Sequence, residues 1–250
     1  MKTYNNQFYQ EELAGSPSSA RTIVPVIMDL IRPSSVLDVG CGLGTWLKVF
    51  MDSGLQDVFG ADQDVADRAG LCIPADKFLP CDLKKPLDLK RKFDMTVSLE
   101  VAEHIPPECA EMFVDTLTRH APVVLFSAAI PHQAGCLHLN EQWPDYWINL
   151  FEKRGYSVYD CLRKRFWNDP AVEYWYAQNM FIFARNDHEK LPELKMAARD
   201  SLPLRVVHPG LYAQVCNPRN YSLRQVLGVL PVLFKQAVMQ RISNGRARAQ

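Results

Sequence analysis

The residues best placed to do chemistry sit between Val36 and Trp46, in the run VLDVGCGLGTW. Gly40, Gly42 and Gly44 occupy alternate positions. Four residues of strand character precede them, and Thr45 leads into a helical pattern through Trp46, Leu47, Val49 and Phe50. Glycines so spaced let the backbone turn tightly and let a ligand lie against bare main chain. Asp38, near the end of the strand, can send its carboxylate into the turn. The unit reads as strand, glycine loop and helix for a nucleotide-like ligand. A dinucleotide fingerprint has the form G-x-G-x-x-G, with pyrophosphate on the helix N-terminus. Here the third glycine comes one residue early, and a carboxylate stands two residues before the first. A carboxylate there repels pyrophosphate and suits an ammonium group.

Two further stretches carry reactive groups. AIPHQAGCLHLNEQW, residues 129–143, holds His132, His138, Asn140, Glu141, Gln142 and Trp143, too polar a set for core. A loop rich in groups that accept or pass protons is a candidate substrate site. FWNDPAVEYWYAQN, residues 166–179, carries Trp167, Tyr174, Trp175 and Tyr176. Aromatic faces attract sulfonium and ammonium cations. In an extended segment Tyr174 and Tyr176 share one face.

The pattern D-x-G-C-G-x-G from Asp38 resembles motif I of the class I S-adenosylmethionine (SAM) dependent methyltransferases. The motifs that follow keep the order of that family. VFGAD, residues 58–62, reads as a second strand ending in an acid eighteen residues beyond Gly44. The resemblance makes Asp62, with Gln63 beside it, the ribose ligand. FLPCDL, residues 78–83, reads as a third strand; the resemblance has Asp82 accept from the adenine amino group and Leu83 pack on the ring. FDMTVSLEVAEHIP, residues 93–106, is a fourth strand and loop, with Leu99 and Glu100 at the strand end and the Glu103–His104 pair beyond. In the family such a pair shapes this loop or borders the SAM site, so His104 joins the cofactor residues.

These residues need a scaffold. VVLFSA (123–128), YSVYDCL (156–162) and NMFIFAR (179–185) are apolar runs fit for strands five to seven. Between them Cys109, Met112, Phe113, Thr116 and Leu117 recur at helical spacing, then Trp143, Tyr146, Trp147, Leu150 and Phe151. Strands alternating with helices predict an α/β, doubly wound, mostly parallel sheet. The resemblance brings it to seven strands and adds an antiparallel last strand at the sheet edge, 179–185. Residues 1–35 are expected as an N-terminal helical lid, 36–185 as the SAM-binding domain and 186–250 as a C-terminal helical extension. In the lid, 18–30 reads as a helix, and Tyr4, Phe8 and Tyr9 are candidates to stack on ligand. Residues 185–203 read as a polar linker with a helix in it. The stripe Leu223, Val226, Leu227, Leu230, Phe234, Ala237 and Val238 predicts a helix over 221–242, kinked or broken at Pro231. It is read as packing on the domain or on a second copy in a homodimer; an anionic membrane surface is the alternative.

Composition narrows the partners. Lys plus Arg number 28 and Asp plus Glu 28, so no net field recruits nucleic acid or an acidic membrane. Amino-methylating DNA enzymes place Asn or Asp before Pro-Pro after strand four, where this chain has Leu99-Glu100-Val101-Ala102. Seven cysteines without C-x-x-C, and no histidine spacing of the zinc type, predict reduced thiols and no metal. There is no apolar signal core and no run long enough to span a bilayer, so a cytoplasmic setting is expected.

The resemblance therefore implies a bacterial methyltransferase acting on a small molecule, of natural-product or sugar type, and releasing S-adenosylhomocysteine. Methyl transfer is an in-line displacement in which the protein mainly aligns the nucleophile. A hydroxyl acceptor needs a base. His138 stands first, His132 and His104 after it, with Asn140 to hold the acceptor. A second reaction is open on this fold: SAM cyclises to azetidine-2-carboxylate and methylthioadenosine, with Asn140, Tyr174 and Tyr176 holding the amine and walling the sulfonium. A third reading is a SAM-binding module without catalysis. Which atom is methylated stays open.

Overall fold

A computed structural model describes residues 16–63, 70–133, 135, 137–199, 201–217 and 220–247. The chain divides into a unit ending at His208 and a second beginning at Pro209. Tyr4, Phe8 and Tyr9 lie outside the described residues.

Seven strands form one sheet: β1 (Ser35–Val39), β2 (Asp57–Asp62), β3 (Phe78–Pro80), β4 (Met95–Leu99), β5 (Val123–Ser127), β6 (Tyr156–Tyr159) and β7 (Phe181–Arg185). Their order is β3-β2-β1-β4-β5-β7-β6. The first five run parallel, and β7 is antiparallel to both its neighbours. The last strand is thus antiparallel as expected, but it lies inside the sheet. β6, not 179–185, forms the edge. Four successive buried apolar residues, Phe181 to Ala184, explain why: both faces of β7 are covered, as an interior strand requires.

The central strands are buried on both sides, so alternate residues feed opposite cores. Val36 joins Ile23, Ile27, Leu47 and Phe50 from α1 (Ser16–Leu30) and α2 (Thr45–Asp52). Leu37 and Val39 join Phe113, Leu117, Trp147 and Phe151 from α3 (Ala110–His120) and α4 (Pro144–Glu152). Phe151 stacks on Phe183 with centroids 3.9 Å apart. α1 runs through Pro25 without interruption.

The stretch after β6 departs from the extended segment expected of it. α5 (Arg163–Phe166) and α6 (Tyr174–Asn179) are helical. At ~100° per residue Tyr174 and Tyr176 point about 200° apart, so they do not share a face. Aromatic alternation over four residues suits a strand locally. Here a turn of helix buries Tyr176 and Ala177 in the first core and brings Asn179 inward. β7 accordingly begins at Phe181.

Residues beyond β7 continue the same unit. α7 (Leu191–Ala197) buries Leu194 completely. Arg163 is 1 % exposed; its guanidinium pairs with Asp160 at 2.7 Å and donates to the carbonyls of Leu202, Pro203 and Leu204. The second unit contains α8 (Pro209–Cys216) and α9 (Leu223–Ala247). α9 passes through Pro231 as one helix, so of the kink or break expected there the break does not occur. Pro231 sits beyond the first turn, so the helix loses one backbone bond there and continues on both sides. No described helix is long and apolar enough to cross a membrane.

Candidate active site

The strand order reverses between β1 and β4, and the crevice at their carboxyl ends is where open α/β sheets take ligands. A cavity lies there. Its lining includes Asp38, Gly40, Gly42, Thr45, Leu99 and the rings of Trp46 and Tyr176. Gly40 and Gly42 have φ of 89° and 53°, in the left-handed region that favours glycine. At Gly40 space forbids a side chain as well, since a Cβ would lie 2.4 Å from Val101. Gly44, at φ 82°, caps α2.

Two acids serve this loop differently. Asp38 is 3 % exposed and lines the cavity; burial, then the charge of Asp62, pushes its carboxyl well above the usual range. Asp62 turns onto the loop. Its carboxylate accepts from the amides of Gly42 and Gln63, both at 2.6 Å, while burial raises its pKa to about 6. Trp46 and Tyr176 meet edge to face with centroids 5.2 Å apart, and the Tyr176 hydroxyl donates to Ser16 Oγ at 3.4 Å.

Past Leu99 a cluster of polar side chains follows. Glu100 adopts φ 54°, rare for a residue with a Cβ. Its carboxylate accepts from Gln133 Nε2 at 2.8 Å and from Asn179 Nδ2 at 3.2 Å. Asn179 and Gln178 also donate to Gln133 Oε1, at 2.8 and 3.2 Å. Gln133, Gln178 and Asn179 were not among the expected site residues. The only sequence signal for them is their polarity beside apolar strands.

The 129–143 loop folds onto the turn that follows β4. The amides of Leu139 and Asn140 donate to the Glu103 carbonyl at 2.7 and 2.9 Å. His138 Nδ1 lies 2.8 Å from Glu141 Oε1, and Glu141 Oε2 accepts the His132 amide at 2.8 Å. A carboxylate only accepts, so Nδ1 carries the hydrogen and the lone pair of a neutral ring lies on Nε2. The ring of His138 meets that of His104 edge to face, 4.9 Å between centroids. Burial, then His138, lowers the His104 pKa to about 4, so it is a neutral imidazole. Glu103 is 1 % exposed; its Oε2 has no partner among the described residues, and neither has Asn140 Nδ2.

The other expected residues fall outside this arrangement. His132 is exposed at φ 69°, and its amide, not its ring, holds Glu141. Asp82 Oδ1 accepts the Lys84 amide in a local turn, Leu83 packs on the second core and Gln63 is exposed. Tyr174 stacks on His208, centroids 6.0 Å apart, and of the three groups considered for cyclisation only Tyr176 lines the cavity. Glu141 does not open the next helix, which starts at Pro144 with Asp145 in its first turn.

Fold and site together define a class, and sequence comparison agrees: residues 9–166 match a family described as a methyltransferase domain. The chain belongs to that family. No curated protein matches it in sequence. Among solved structures it resembles the sugar N-methyltransferase KedS8 from Streptoalloteichus sp ATCC 53650. Identity is 16%, the TM-score 0.56, and the match covers 75% of this chain and 97% of that one. It also resembles SAM-bound CalS10, an amino pentose methyltransferase from Micromonospora echinaspora, at 17% identity and TM-score 0.55, covering 74% and 99%. Small RNA methyltransferase HEN1 matches at 18% and 0.50, covering 68% of this chain and 25% of its own. Such distant likeness shows the shared fold and leaves the acceptor open.

SAM is the methyl donor of this family, and the residues present fit it. Bare main chain at Gly40 and Gly42 leaves room for the nucleoside, Asp38 offers a carboxylate to the ammonium, and two rings wall the cavity for a sulfonium. When bound, SAM supplies an electrophilic methyl on a good leaving group. The protein's part is to align an acceptor and manage its proton.

Proposed function

We propose that the protein methylates a hydroxyl-bearing small molecule of natural-product or sugar type, releasing S-adenosylhomocysteine. The observation that carries this reading is the His138–Glu141 pair, on a loop closed over the turn after β4, the strand whose last residue, Leu99, lines the cofactor cavity. Glu141 orients the ring, and the Nε2 lone pair acts on the acceptor, either as a base or by holding a cation that does. Asn140, with a buried amide hydrogen donor to spare, holds a polar group of the acceptor. Equal numbers of acidic and basic residues fit a small acceptor better than a nucleic acid. The sugar methyltransferases among its structural neighbours fit the same reading.

The test is incubation of purified protein with SAM, alone and with pools of sugar and phenolic acceptors, followed by mass analysis. S-adenosylhomocysteine formed only with an acceptor is the expected result. Methylthioadenosine formed from SAM alone would overturn it in favour of cyclisation.

A further inference from the structure

Glu103, His104 and His138 offer one carboxylate oxygen and two ring nitrogens, all within 4.8 Å of one another. They come from two places in the chain: an adjacent pair after β4, and a histidine on the loop after β5. Glu100 stands beside them. Its carboxylate lies close enough to that of Glu103 for their charges to repel, and Glu103 is almost wholly buried while Glu100 is half-buried. Two carboxylates can approach in that way only by sharing a proton or a cation. A shared proton leaves Glu103 Oε2 without a partner, in a place where an unpaired polar atom is costly.

We propose that Glu103, His104 and His138, with Glu100 beside them, form a binding site for one divalent transition-metal cation that receives the acceptor's hydroxyl. Ligands at about 2.1 Å from an ion sit roughly 3–4 Å apart, so small side-chain rotations close the cluster. Two carboxylates and two imidazoles suit manganese, iron or zinc better than calcium, which takes oxygen alone, or copper(I), which wants thiolates.

The surroundings match what such sites require. A ligating histidine gives its other N–H to a carboxylate, which fixes the tautomer and raises its basicity. Glu141 does that for His138 at 2.8 Å. Gln133 and Asn179 anchor Glu100. Leu99, one residue before Glu100, lines the cofactor cavity, so the cluster follows directly on the strand end that borders it. A divalent cation lowers the pKa of a bound hydroxyl by several units. The proton leaves to water, the oxygen attacks the methyl carbon, and the carbon–sulfur bond breaks with its electrons on sulfur.

This inference rests on the proposed methyl transfer but is tested apart from it. Full-length protein is stripped with chelator, saturated with SAM and titrated with Mn²⁺, followed by calorimetry and by the electron-spin signal of free Mn²⁺. One ion per chain is expected. Glu103→Gln and His138→Asn should each weaken binding at least tenfold, and Glu141→Gln 10–100-fold. Retained SAM binding by each variant certifies its fold. No saturable Mn²⁺ binding, or binding indifferent to Glu103→Gln and His138→Asn, overturns the site. Stripped protein that methylates its acceptor at the full rate overturns the metal and leaves methyl transfer standing. One ion bound by these residues without any S-adenosylhomocysteine formed upholds the metal and overturns the methyl transfer.

Discussion

Around the cofactor cavity the ligand meets bare backbone at Gly40 and Gly42, with Asp38 as the buried acid, the rings of Trp46 and Tyr176 as walls, and Asp62 bracing the loop. Beyond Leu99 the proposed acceptor side is built of side chains: Glu100, held by the amides of Gln133 and Asn179, His138, held by Glu141, and Glu103, His104 and Asn140 beside them. The first region recognises an invariant ligand, so its geometry is set by φ angles that only glycine adopts readily. The second is where we place the chemistry, and it sets the buried Glu103 against the half-buried Glu100, two acids that a proton, a cation or a substrate can balance. Main-chain cradles suit a constant partner, whereas side-chain clusters can be re-tuned by single substitutions.

Substitutions in the two regions should therefore fail differently. Gly42→Val strikes the cradle. A branched side chain at φ 53° both strains the loop and fills the cavity, so calorimetry should find no SAM binding. Retained binding would break the assignment of the loop. His138→Ala strikes the other side, and turnover should fall about 100-fold or more while SAM affinity stays within about twofold. Equal losses in both would make His138 structural and erase the contrast.

Asp62→Ala should weaken SAM binding by roughly 1.5–3 kcal/mol, the worth of a charged hydrogen bond, against a wild-type affinity in the micromolar range, about −8 kcal/mol. Unchanged affinity would remove Asp62 from the ribose and leave it a loop brace alone. The same residue predicts a pH effect. Its folded pKa is raised to about 6, above the value of 3.8 for the free side chain. The folded state thus holds the proton more tightly, and stability falls as pH rises from about 4 to 6. SAM-free protein should melt at higher temperature at pH 5 than at pH 7, and Asp62→Asn should flatten that slope. A wild-type slope in Asp62→Asn would assign the effect to other buried acids.

The smallest effect is expected at Tyr176. Phenylalanine keeps the ring against Trp46 and the cavity and loses one long hydrogen bond to Ser16. Cation–π attraction belongs to the ring face. Tyr176→Phe should keep most activity and Tyr176→Ala should lose about tenfold. Loss of most activity in the phenylalanine variant would favour a role for the hydroxyl, as cyclisation requires.

Local chemistry determined much of this protein from the chain alone. A strand run followed by alternate glycines can fold in few ways, and β1, its loop and α2 stand where the residues say. Hydrophobic runs likewise located seven strands, because burial on both faces leaves a continuous apolar signature. That Asp62 ends β2 was legible by spacing, since a βαβ unit has a nearly constant length, whereas Asp82 holds a local turn. Tertiary structure decided the rest. Whether 174–179 is strand or helix, and whether β7 lies at the edge or inside, depended on which face had to be covered. Gln133, Gln178 and Asn179 became a network only when the loop after β5 and the end of α6 met at Glu100. Glu103, His104 and His138 carry no ligand spacing along the chain. Their cluster exists because two loops from neighbouring parallel strands end at the same edge of the sheet, and sequence distance says nothing about that.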